Sequence, residues 1–151
     1  MNSATLTLFV AWSAVAGGLI PVMAAMNGTL GRAVGSPIHA AFVLCVAGTL
    51  GVALTWLAFR PAMPPAASWT SVPWYAWLGG VGMACYALSA TFLAPRFGVG
   101  NFVICVVVAQ LVTSSLIDQF GLFGMAQSTL GLRRLVGLGV LGLGAVLVAW
   151  K

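Results

Sequence analysis

Acidic side chains are all but missing. Asp118 is the sole carboxylate among 151 residues, and glutamate does not occur. Charge of either sign is scarce, at 5% of residues, the cations being Arg32, Arg60, Arg96, Arg133, Arg134 and Lys151. A surface fit for water carries roughly 25–35% charged side chains, so this composition excludes a water-soluble globular domain. Histidine is represented once, by His39, and cysteine by Cys45, Cys85 and Cys105, with no Cys-x-x-Cys spacing. That set argues against a metal site, and an odd cysteine count inside apolar runs argues against a disulfide framework. The thiols read as small residues facing lipid or a neighbouring helix. With one His and one carboxylate far apart, no nucleophile–base–acid set can be assembled, and no Gly-Lys-Ser/Thr phosphate loop occurs. We expect neither an enzyme nor a cofactor. The arginines are isolated rather than clustered, which speaks against nucleic acid despite a pI near 9.9.

What the chain does contain is long apolar runs, with a mean hydropathy of +1.11. A run of about 18 or more residues crosses the roughly 30 Å hydrocarbon layer as a helix. Five such spans are read: Thr5–Leu30, Ile38–Phe59, Trp74–Ala94, Gly100–Ile117 and Leu135–Trp150. The runs do not alternate polar and apolar residues as the strands of a membrane barrel do. The expected class is all-α, a polytopic membrane protein with lipid as its first partner, residues 1–151 forming one five-helix domain. Ala14-Val15-Ala16 resembles a cleavage site, but no basic segment precedes it, so the first span is expected to stay.

Five crossings put Arg60, Arg133 and Arg134 on the same face as the N-terminus, and Arg32, Arg96 and Lys151 on the other. Orientation follows an excess of Lys and Arg in cytoplasmic loops, and here the two faces balance. Either another signal sets one topology, or the chain inserts both ways up and pairs antiparallel.

Along the chain, Gly17, Gly18 and Pro21 interrupt the first span, and proline tends to kink a helix. Asn27 lies near its far end, where Gly28 and Gly31 can stop it. Asn27 reads either as lining a site or as a cap. Ser36-Pro37 is a helix start, with His39 in the first turn as a neutral boundary residue. Ala47-xxx-Gly51 and Gly80-xxx-Ala84 are small-residue pairs that allow close helix approach. Arg60–Pro73 reads as the main loop, and Trp69, Trp74, Tyr75 and Trp77 as anchors at headgroup level. Pro95-Arg96-Phe97-Gly98 is expected to be a tight turn between two antiparallel spans, with Asn101 capping the second. Gly137, Gly139, Gly142 and Gly144 lie on more than one face of the last span, which suggests a helix with neighbours on both sides.

The fourth span carries the strongest constellation. Gln110, Ser114 and Asp118 are spaced i, i+4, i+8 and share a face. Gln110 falls near mid-span, and Asp118 about 12 Å further along, close to the interface. An anion at a helix C-terminus is disfavoured by the helix dipole, so a counter-charge is expected. Arg133, Arg134 or a basic residue of another chain can supply it. Asp118 is then an ion-pair, loop-anchor or gate residue, with a substrate or proton site as the other reading.

Gly17-Gly18-Leu19-Ile20-Pro21-Val22, Asn27 and Gly35-Ser36-Pro37, followed by Gly98-Val99-Gly100, Ala109-Gln110, Ile117-Asp118, Phe120-Gly121, Leu122-Phe123-Gly124 and Arg134-Leu135-Val136-Gly137, occur in an order that resembles the YdcZ-like family. That family is a bacterial branch of the drug/metabolite transporter superfamily, and the resemblance covers nearly the whole chain. It implies a multi-pass protein of the bacterial inner membrane, built as an antiparallel homodimer or paired with an oppositely oriented homologous chain. The result is a ten-helix inverted repeat with its substrate site near the midplane. Asn27, Gln110 and Asp118 match the family's recurrent polar residues. Met23 stands where the family often has Gln after the Pro-Val pair, which removes one polar group from the implied lining.

The reading is a small-molecule transporter subunit, its substrate unknown, working by alternating access. Asn27, Gln110 and Ser114 are its candidate substrate contacts, Asp118 with Arg133 or Arg134 its ion pair or gate, and Pro21 its kink. A dual-topology ion channel and a non-transporting accessory protein are the alternatives.

Overall fold

The computed structural model describes residues 2–149, and among them the structure is helical with no strand. Helix α1 is Ser3–Val34, α2 Pro37–Phe59, α3 the short Ala66–Thr70, α4 Gly79–Phe97, α5 Val99–Phe120 and α6 Leu132–Ala149. A 3₁₀ segment, Trp74–Leu78, leads into α4. Among the described residues, five stretches are long and apolar enough to cross a membrane: Ala4–Val34, Pro37–Phe59, Trp74–Phe97, Val99–Phe120 and Leu132–Ala149. Each contains most of one expected span. Trp150 and Lys151, the expected end of the last span and its flanking cation, lie outside the described residues.

Helix ends follow from local chemistry. Asn2 caps α1, its Oδ1 accepting from the Thr5 amide at 2.8 Å. Pro21 sits inside α1 without ending it. The expectation that Gly28 and Gly31 stop this helix is corrected: both are buried against other helices, and α1 runs on to Val34. It ends at Gly35, whose φ of 72° is the left-handed conformation that glycine adopts freely, and the Ser36 amide closes on the Gly31 carbonyl at 3.1 Å. Ser36 then caps α2, accepting from the His39 amide.

Two other boundaries differ from expectation. Pro95, Arg96 and Phe97 remain helical, and the break is Gly98 alone, with φ 92°. A proline late in a membrane helix is tolerated because its freed carbonyl can find another partner. Asn101 does not cap its own helix; Gly98 holds that position, and the Asn101 amide donates to the Phe97 carbonyl at 3.1 Å. The Arg60–Pro73 connection contains α3, and Trp69 and Trp77 approach ring to ring at 6.1 Å.

The chain divides into two compact units, Met1–Arg96 and Phe97–Lys151. In the first, the buried residues other than Asn27 and Thr91 are all glycine or alanine: Ala24, Gly28 and Gly31 of α1, Ala40 and Ala41 of α2, and Ala87, Ala90 and Ala94 of α4. Lipid tails offer helices no hydrophobic incentive to associate, so close backbone approach supplies the packing. A methyl group at Gly28 would sit 2.9 Å from Pro95 Cγ; one at Gly31 would meet Thr91 Cγ2 at 3.3 Å and Ala40 Cβ at 3.6 Å. Among the described residues, no other helix approaches within 4 Å of the Cβ position at Gly51 or Gly80, so the pairs Ala47-xxx-Gly51 and Gly80-xxx-Ala84 have open faces within the chain. In the second unit, α5 packs against α6, and an apolar groove between them is lined by residues such as Val103, Val107, Gly144 and Val148. Gly137, Gly139, Gly142 and Gly144 face open space.

Candidate functional site

Two polar centres hold the expected residues, one in each unit. In the second unit, α5 ends with carbonyls that lack intrahelical partners, as every helix does. The following segment supplies donors one by one. The Gly121 amide bonds the Ile117 carbonyl, the Ser128 amide bonds the Asp118 carbonyl at 2.8 Å, and Gln127 Nε2 bonds the Gln119 carbonyl at 3.0 Å. Gln119 returns the contact, its Oε1 accepting from the Leu130 amide at 2.6 Å. The glycine-rich segment 121–131 is thereby folded back on the helix end, and Gly121 turns with φ 59°.

The same end carries the sole acid. Arg134 Nη2 donates to Asp118 Oδ2 at 2.8 Å, with the side chains 40% and 37% exposed respectively. Of the two arginines, Arg134 makes this contact, while Arg133 is exposed. The pair joins two charges at unfavourable helix ends. Asp118 lies in the last turn of α5, where carbonyls point outward, and Arg134 in the first turn of α6, where amides do. Each is the other's remedy.

One and two turns back along α5, Ser114 and Gln110 continue the stripe. Ser114 is half-buried and donates to the Leu111 carbonyl at 3.1 Å. Gln110, in the middle of Val99–Phe120, is exposed, as is Thr113. Ser115 is buried, and its Oγ has no hydrogen-bond partner among the described residues.

In the first unit Asn27 is buried and its Nδ2 donates to Thr91 Oγ1, tying α1 to α4. Thr91 passes the chain on, donating to the Ala87 carbonyl at 2.7 Å. A buried polar relay of this kind fixes helix register because leaving either group unpaired in hydrocarbon is costly. Pro21 is half-buried, two turns before Asn27. Beside Thr91 opens a cleft of about 360 Å³ whose lining includes Arg32 and Arg96.

Asp118 and Arg134 are thus brought into contact, and Gln110 and Ser114 lie on the same stripe as Asp118. Asn27 has its own partner. Sequence reasoning missed Thr91, Gln119 and Gln127. Thr91 carried a signal, as the one hydroxyl among the small residues of α4 that recur at helical spacing with Ala87 and Ala94. Among the described residues, no cluster of three or more His, Cys, Asp or Glu could hold a metal.

A family model described as "Putative inner membrane exporter, YdcZ" matches residues 8–147. Comparisons with curated proteins and with solved structures return no match.

Proposed function

The chain belongs to the YdcZ family, multi-pass proteins of the inner membrane, and on that premise we propose that it is the subunit of a small-molecule transporter acting as an antiparallel homodimer. The observation that carries this reading is Gln110. A primary amide midway along a membrane-spanning helix cannot rest against lipid without leaving four hydrogen-bonding positions unmet. It is exposed within its own unit. A second copy, or a water-filled cavity formed with one, is what it requires. The open glycine faces of α6 support the same conclusion, because small residues are placed where another helix comes close.

In this mechanism Gln110 and Ser114 of both copies line a shared cavity near the midplane, and Asn27, within its own unit, holds α1 to α4 through Thr91. Alternating access is the rocking of one protomer against the other. Asp118 and Arg134 sit near the interface, so an antiparallel pair carries one such ion pair toward each membrane face, suited to gating. With no carboxylate at the midplane, the cargo is neutral, amphiphilic or anionic rather than a buried cation needing counter-charge.

Cross-linking tests the arrangement. In a variant freed of Cys45, Cys85 and Cys105, Q110C is expected to self-cross-link, because mid-span positions of antiparallel copies share a depth. L132C, at a helix end, is expected not to. Self-cross-linking at L132C, or a C-terminal reporter seen on one face only, would falsify the homodimer reading. Vesicle flux far above about 10³ per second, beyond what μs–ms conformational steps allow, would replace the transporter with a channel.

A further inference from the structure

The cleft beside Thr91 is not used by the proposed transport path, and its chemistry points elsewhere. Arg32, in the last turn of α1, and Arg96, in the last turn of α4, both line it, together with Gly31, Gly35 and Pro37. Among the described residues neither arginine meets a carboxylate, since Asp118 is the only acidic side chain and is held by Arg134. Their hydrogen bonds are to neutral groups: Arg32 Nη2 to Thr29 Oγ1 at 3.1 Å, and Arg96 Nη1 to the Phe92 carbonyl at 2.7 Å. A guanidinium presents five N–H donors, so most of the donors of both remain for a ligand. Glycines keep the floor low, leaving about 360 Å³ of space.

An apolar groove of about 320 Å³ adjoins the cleft and shares Pro37 with it. Ile38, Leu88, Phe92 and Leu93 line this groove, and the Arg96 guanidinium lies 3.8 Å over the Phe92 ring, so cation and groove meet at one side chain. Leu88 lies two turns before Arg96 on α4, about 12 Å deeper along the helix axis. Paired cations at the end of membrane-spanning helices, above an apolar channel leading inward, match the two ends of one molecule.

We propose that this cleft and groove bind an anionic phospholipid, the headgroup phosphate between Arg32 and Arg96 and one acyl chain along Ile38, Leu88 and Leu93. Basic pockets between membrane helices recognise anionic headgroups in this manner, and arginine takes a phosphate through two parallel hydrogen bonds. The groove selects lipid over free phosphate, because a soluble anion has nothing to place against Phe92 and Leu93. The site depends on the first unit alone and stands whether or not the chain transports anything.

The full-length protein, purified in a neutral detergent, is titrated with phosphatidylglycerol, with phosphatidylcholine and with glycerol phosphate. Bound lipid is read by native mass spectrometry and stabilisation by the unfolding temperature. Phosphatidylglycerol is expected to remain bound at one tight site per chain and to raise the unfolding temperature. Phosphatidylcholine should bind at least tenfold more weakly, and glycerol phosphate should have no effect at equal concentration. R32Q/R96Q should lower phosphatidylglycerol affinity at least tenfold, R32K/R96K less, and R60Q not at all. L93W, which fills the groove, should weaken the lipid while the arginines are intact. Equal retention of the two lipids by the wild-type protein would overturn the proposal, even if no variant folds. So would stabilisation by glycerol phosphate equal to that by phosphatidylglycerol, which would make the cleft a site for soluble anions.

Discussion

Exchanging the two charges at the α5–α6 end, in D118R/R134D, should stabilise the protein. As it stands, the pair carries two opposing contributions. The contact itself, at 2.8 Å between side chains 37–40% exposed, is worth about 0.2–1 kcal/mol once solvent screening is allowed for. Against it, an anion in the last turn of one helix and a cation in the first turn of the next each cost about 0.3–1 kcal/mol through the helix dipoles. D118N removes one contact and one penalty together, so its stability should stay within about 0.5 kcal/mol of wild type. The exchange keeps opposite charges facing each other but turns both dipole contributions favourable. Taking the low end of each for half-exposed groups, the gain is about 1–2 kcal/mol. D118R alone leaves two cations facing and R134D alone two anions, so these should be the two least stable corners of the cycle. Unfolding in mixed micelles, followed by helicity as denaturing detergent is raised, measures all four corners. An exchange variant no more stable than D118N/R134Q would refute the dipole argument. Transport separates brace from gate: a brace survives the exchange, whereas a gate whose carboxylate acts on cargo folds and fails to transport.

Other substitutions read the remaining contacts. G28A places a methyl group 2.9 Å from the Pro95 ring, and overpacking of about 1–3 kcal/mol should outweigh the roughly 1 kcal/mol gained in helix propensity; an unfolding temperature at or above wild type would contradict the packing. T91V leaves the buried Asn27 amide without its acceptor and should cost about 0.6–1.7 kcal/mol, with T91S restoring most of it in the same unfolding measurement. Q119A should expose the 121–131 backbone, seen as faster amide hydrogen exchange there with α1, α2 and α4 unchanged; unchanged exchange would mean the segment is held by something else. Q110L should leave folding intact and abolish transport, so a variant that still moves cargo would remove Gln110 from the cavity.

The fold was legible in the sequence to the extent that it follows from hydropathy and caps. The five spans needed only runs of apolar residues, and Ser36-Pro37 fixed a helix start through local chemistry alone. Errors arose where a residue's role depends on a distant neighbour. Gly28 and Gly31 look like stops when read locally, yet α4 lies against them, so their missing side chains serve packing instead of termination. Gly98, three residues before Asn101, turns by itself and holds the cap position, which frees the Asn101 side-chain amide for the Phe97 carbonyl. The Asp118 counter-charge could be anticipated from the dipole, because the need for a cation is local; that Arg134 makes the contact depends on how segment 121–131 folds back. Thr91 was invisible as Asn27's partner, since the two are far apart in sequence and only the closeness of α1 and α4 joins them.

The closure of segment 121–131 over α5 also bears on how the protein is made. A helix end that crosses or enters hydrocarbon must do so with its carbonyls bonded, at several kilocalories per mole for each one left bare. Here Ile117, Asp118 and Gln119 have their carbonyls bonded to donors of the chain itself. The segment between Gly121 and Gly131 contains no charged residue. Once folded, this helix end brings little bare backbone polarity to the insertion machinery.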